Sequence, residues 1–318
     1  MDANHQKEID RSVAYLLKWV NIFKNQGLPE TSTELSAISN RLRKGSIPFQ
    51  QKTILNLLYS VASAMKREFI GSQLLGVSYR EECFEEMIST FDVIRNMGVV
   101  DFVKASEESF RYFSNRITNV IRNIRPFQEF HINFMQDLQK ETASLTYGKN
   151  FVVCEDKGFG EKKALMFHFK AYLYLLMVEG VFDDLARIWY FLKSLAIDPK
   201  SAPKVEDLKR LTVDMILTKL DSRKRSVPVF LRNWEERKHW RNSIAHCMTD
   251  FDLRLNTLHF VDFNCYSGKI TYDEFVTWFD FQTVCLELED TLRAFDLAVK
   301  VISISAELGK IKPSMPSS

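Results

Sequence analysis

Within six residues, Arg241-Asn242-Ser243-Ile244-Ala245-His246, the chain sets a guanidinium, an amide and an imidazole. Each residue of an α-helix advances about 100°, so Asn242 and His246 share one stripe, with Lys238 a turn earlier. Arg241 projects about 140° from His246, and its long side chain can reach the same groove. Trp240 and Ile244 form the apolar back that anchors the segment. This trio suits cleavage of a phosphodiester in RNA. An imidazole can take the proton of a 2′-hydroxyl or give one to the leaving oxygen, and an arginine fork stabilises charge building on the phosphate. Asn242 offers a donor and an acceptor, to orient the imidazole or hold the phosphate. Such chemistry needs no metal and no cofactor.

Those groups require a rigid helix beneath them. Apolar residues recur at three- and four-residue intervals through most of the 318 residues, and only 11 Gly and 8 Pro interrupt them, so an all-α fold is expected. With 46% hydrophobic residues the chain can bury two domains. Residues 1–147 carry several amphipathic helices, broken near Gly27-Leu28-Pro29 and Gly45-Ser46-Ile47-Pro48. A glycine-bearing loop with a short β-branched run, Val152-Val153, lies near 148–161 and marks the boundary. Residues 162–318 predict a four- to five-helix bundle. It comprises one long helix ending near Ala196, a helix over "KVEDLKRLTVDMILTKL" started by Ser201 and Pro203, and the motif helix at about 228–248. A β-hairpin at "LNTLHFVDF" and "GKITYDEF" follows, then a last helix from about Asp273 past Val301.

Charge and cysteine content narrow the function classes. A net charge of +2 provides no overall field for nucleic acid, so RNA would be held by a local strip: Lys224, Arg225, Arg232, Arg237 and Lys238 beside the motif. Five cysteines without CxxC spacing argue against a disulfide framework or a zinc knuckle and fit a reducing cytoplasm. The N-terminus lacks a signal pattern, and no apolar run is long enough for a membrane, so no membrane partner is expected.

The RNSIAH hexapeptide in a helical bundle resembles the HEPN superfamily, over roughly residues 160–312. Catalytic members carry an arginine, four to six residues and a histidine, often with a polar residue straight after the arginine. The resemblance implies a metal-independent endoribonuclease that leaves a 2′,3′-cyclic phosphate, with Arg241, Asn242 and His246 catalytic. It also implies a homodimer in which two motifs share a cleft, and a toxin, abortive-infection or defence role with a regulatory or antitoxin partner. Met248 stands where one toxin subgroup has tyrosine. The alternative is a HEPN-like module that binds nucleotide, RNA or protein without cutting. The first half would be a sensor, regulator or dimerisation arm.

Three other stretches fit an arginine-to-histidine gap of four to six: Arg125…His131, Arg232…His239 and Arg254…His259. Pro126 disfavours helix at Arg125, and Arg254 falls in a turn before a strand. Arg232-Asn233…His239 is the serious competitor, since seven residues return to the same helix face. Two features carry other chemistry only superficially. Around Gly268 and Glu274 the chain matches half of a calcium loop, but the first ligand positions fall on Phe263 and Cys265, so a hairpin with Ile270 and Tyr272 on one face is expected instead. Cys83, flanked by carboxylates, reads as plain helix surface.

Overall fold

The computed structural model describes residues 3–45, 51–71, 79–86, 112, 115, 119, 122, 157–198, 200, 202–222, 227–252 and 254–308. Arg125, His131, Val152, Val153, Lys224 and Arg225 lie outside the described residues. Those described are mostly helical, with one small antiparallel sheet. They form two compact units, one drawn from 1–114, 187–230 and 290–318, the other from 115–186 and 231–289. The expected division at 148–161 follows the chain, whereas these units interleave. Residues 187 and 290 lie inside continuous helices, so no glycine, proline or charge run marks those boundaries.

In the first unit α1 (Ala3–Asn25) buries Ile9, Val13, Leu16 and Phe23, the three- and four-residue stripe of an amphipathic helix. It ends in a Schellman motif. Gly27 takes φ +75°, its N–H bonds the Lys24 carbonyl, and the Leu28 N–H bonds that of Phe23. Pro29 then opens α2 (Pro29–Arg43), where its missing N–H costs nothing. Glu68, from α3 (Gln51–Gly71), accepts the Thr31 N–H at 3.0 Å and so places a carboxylate at the positive end of α2. Cys83, in a helical stretch over residues 79–86, is fully buried rather than on the surface, because it packs inward beside Phe84. The helix expected after Pro203 is two helices, α6 (Val205–Lys209) and α7 (Val213–Ser222). Thr212 separates them, accepting the Met215 N–H with its hydroxyl as an N-cap would.

The second unit positions the motif. The long helix expected before residue 197 is α4 (Lys157–Met177), a five-residue π turn (Val178–Phe182) and the start of α5 (Asp183–Ile197). The motif helix, α8, spans Trp234–Ala245 rather than 228–248. Asn233 breaks its start at φ 61°, after a 3-10 turn at Val229–Leu231. Three strands follow: β1 (Thr249–Asp252), β2 (Thr257–Phe263) and β3 (Ile270–Thr277), paired antiparallel in that order. Two were expected. β1 escapes a sequence search because its four residues include two aspartates. The turn between β2 and β3 is as anticipated, with Gly268 at φ +65° and the Asn264 side chain accepting the Tyr266 and Ser267 N–H groups. Ile270, however, is exposed at its end instead of packing. The last helix, α9 (Trp278–Leu308), begins five residues later than expected because β3 runs on to Thr277.

Aromatic rings fill the core of this unit. Trp240 stacks on Phe260 at 5.0 Å and 7°, Phe281 lies against both, and Phe182 stacks on Trp234 at 5.3 Å. Burial pushes the Tyr174 phenol well above its ordinary value, so its O–H stays a donor, bonded to the Arg237 carbonyl at 2.7 Å. Burial likewise raises the Cys285 thiol to about 12.

Candidate functional site

The C-terminal end of α8 sets where His246 sits. The Cys247 N–H bonds the Ile244 carbonyl, and the Met248 N–H bonds the Ser243 carbonyl at 2.8 Å. That is again a Schellman motif, with Cys247 in the left-handed position at φ 56°. His246 is therefore the cap residue, not a mid-helix residue. Its N–H still bonds the Asn242 carbonyl at 2.9 Å, so it keeps helical register with Asn242. The imidazole is exposed and makes no hydrogen bond, ion pair or ring contact among the described residues.

Ser243 is the fixing point beneath it. Its fully buried hydroxyl donates to the Met248 carbonyl at 2.9 Å and accepts the Val261 N–H at 3.0 Å, tying α8 to the start of β1 and to β2. A small hydroxyl suits that buried position, where one oxygen both donates to and accepts from backbone groups of the sheet side.

Arg241 does not converge on His246. Its Nη1 meets Glu179, in the π turn, at 2.5 Å, while its Nε–H is buried without a hydrogen-bond partner among the described residues. Asn242 turns toward β2 and donates to Asp262 Oδ2 at 2.9 Å. Its side-chain amide is thus bonded to Asp262 and not to the His246 ring. The same Asp262 oxygen receives Nδ1 of His239 at 2.7 Å, and Oδ1 receives the Phe263 N–H at 2.8 Å. Burial alone pushes the Asp262 carboxyl up. The bonds from His239, Asn242 and Phe263 outweigh it and hold the group below its ordinary value, as a carboxylate. His239 stacks on Tyr272 at 4.8 Å and 12°, and the Tyr272 hydroxyl accepts Nε1–H of Trp240 at 3.0 Å. Burial raises the Tyr272 phenol, so it remains neutral.

The strip expected to hold RNA is shorter than the sequence implies. Arg237 is 2% exposed and bonds Glu287 through Nη2 at 2.7 Å, so it is an internal strut and leaves the RNA-facing set. Its position, three residues before Trp240, puts it on the buried face. Lys238 pairs with Glu235 at 2.9 Å on the helix surface, and Arg232 is exposed just before α8. His259, from the discarded third register, pairs with Asp273 at 2.6 Å and stacks on Phe275 across the β2–β3 pair.

Asp262 and Glu179 were not singled out from sequence, and Tyr272 was expected only to pack on one face of the hairpin. Asp262 had a usable signal. Leu258, Phe260 and Asp262 alternate on the inward face of β2, and an acidic residue at an inward position must find donors. Glu179 had none, since only the π turn brings it to Arg241. Comparison with protein-family models, curated proteins and solved structures finds no match to this chain. No described helix is long and apolar enough to cross a membrane.

Proposed function

We propose that the chain is a HEPN-type, metal-independent endoribonuclease working at the exposed end of α8. The observation that supports this best is His246: a helix cap and the buried Ser243 bonds fix its backbone, while its imidazole is exposed and unpartnered among the described residues. A histidine kept for packing would be covered or satisfied. In the reaction the 2′-oxygen attacks phosphorus as the P–O5′ bond breaks, giving a 2′,3′-cyclic phosphate and a 5′-hydroxyl. His246 takes the 2′-hydroxyl proton, and Arg241, once drawn off Glu179, offsets charge on the phosphate oxygens. A homodimer would bring a second Arg241 and a second basic strip to the same cleft.

The Arg241–Glu179 pair favours a second reading, a HEPN-like module that binds RNA, nucleotide or protein without cutting, because a neutralised guanidinium stabilises no developing charge. Incubating the protein with mixed RNAs in chelator separates the two. Catalysis predicts cyclic-phosphate ends that vanish in Arg241→Ala and His246→Ala. If the wild-type protein leaves RNA intact, or needs added metal, the ribonuclease reading is wrong.

A further inference from the structure

His239, Asn242 and His246 occupy one stripe of α8. From His239, Asn242 lies about 60° around the axis and His246 about 20°, two turns or about 10.5 Å farther along. The stripe thus carries two imidazoles, and the motif asparagine between them is bonded to the carboxylate that holds the first.

The state of that first ring follows from its neighbours. Asp262 is ionised and only accepts, and its Oδ2 receives Nδ1 of His239, so Nδ1 carries a proton whether the ring is neutral or charged. Only Nε2 is left to exchange a proton. It has no hydrogen-bond partner among the described residues, and the side chain is 21% exposed. Its Nδ1 bond to Asp262 and the Tyr272 ring over one face orient it, and Trp240 in turn holds the Tyr272 hydroxyl. A simple pin between helix and strand would not need this arrangement. The Asn242–Asp262 and Ser243–Val261 bonds already join α8 to β2.

We infer that His239 is a second proton-transfer residue of the cleavage, delivering the proton to the leaving O5′ while His246 accepts the one from the 2′-hydroxyl. This rests on the ribonuclease reading above and adds to it the missing acid. Protons balance: His246 ends protonated, His239 ends neutral with its proton still on Nδ1 and donated to Asp262, and solvent resets both. The Asp262 charge offsets that of the doubly protonated His239 ring before transfer. Asn242 is then a positioning residue, acting on His239 through Asp262. The two proton-transfer groups come from one chain, so a partner copy is not needed to complete the acid–base pair.

The test uses the full chain, chelator and two substrates, an ordinary RNA and the same RNA with sulfur bridging phosphorus and C5′ at the scissile bond. A thiolate leaves without an acid. His239→Gln should cut ordinary RNA about 100-fold more slowly, in line with loss of one general acid. It should also lose one limb of the pH–kcat/KM bell and recover near wild-type rates on the sulfur substrate. His246→Ala should be slow on both. A His239→Gln protein that keeps the wild-type rate, or whose loss the sulfur substrate does not repair, overturns the inference and leaves the ribonuclease reading standing. Wild-type protein that cuts neither RNA overturns both. Should His239→Gln fail to fold, nitrogen NMR of the wild type takes its place. A 2′-deoxy dinucleotide must then shift the Nε2 signal of His239, and an unmoved signal refutes its contact with substrate.

Discussion

The Asp290 carboxylate receives Nε and Nη2 of Arg80 at 2.6 and 2.7 Å, across 210 residues of sequence. Arg80 is fully buried, with the Phe69 carbonyl and ring also against its guanidinium. Removing one member of a buried pair strands the other charge. Asp290→Ala is therefore expected to cost about 3–5 kcal/mol in urea denaturation, whereas an Arg80→Met, Asp290→Leu double variant should regain most of it. A loss below about 1 kcal/mol in Asp290→Ala would contradict the pairing.

Cys247 adopts a left-handed backbone that α1 assigns to Gly27 at the matching position. A side chain there costs about 1 kcal/mol relative to glycine. Cys247→Gly should thus raise the unfolding free energy by about that amount and leave RNA cleavage unchanged. An unaltered or lowered denaturation midpoint would show that the left-handed backbone at Cys247 stores no strain.

Stability should fall in acid through Asp262. Its carboxyl is held below the ordinary value by bonds that burial opposes but does not cancel. A depressed folded-state value means the contribution is complete above the unfolded carboxylate value of about 3.9 and is lost as pH drops through the lowered one. Urea midpoints measured from pH 6 to pH 2.5 should therefore decline more steeply below about pH 4 in the wild type than in Asp262→Asn. Parallel curves would argue against the network.

On the ribonuclease reading, Glu179 would compete with phosphate for Arg241. The carboxylate is 52% exposed, so its hold on the guanidinium is worth no more than about 1 kcal/mol. Glu179→Gln should raise kcat/KM on RNA by up to about fivefold, chiefly through KM. The same substitution in an Arg241→Ala background should do nothing. Equal gains in both backgrounds would mean that Glu179 acts by general repulsion of RNA.

Local rules in the sequence identified the helix ends at Gly27 and Gly45, the turn at Gly268 and the amphipathic stripe of α1, because each depends on residues within one turn of the chain. The position of His246 on the Asn242 stripe was equally legible, since helix geometry alone fixes it. What contacts that stripe was not. Arg237 looks like one more surface cation, and only the fold shows Glu287 beside it. His239 could be weighed as a rival register, but its significance depends on Asp262, 23 residues on and in a strand. Arg80 and Asp290 lie too far apart for any local pattern to join them. The interleaved units have the same origin, because two of their limits, at residues 187 and 290, fall inside continuous helices.

The π turn at Val178–Phe182 bears on how this chain could change by inheritance. A π turn is one residue longer than the α-helical path it replaces, so a single in-frame codon deletion there could restore a continuous helix. It would also rotate Glu179 about 100° relative to the residues that follow. Arg241 would lose its carboxylate in one step, with every residue of the motif helix untouched.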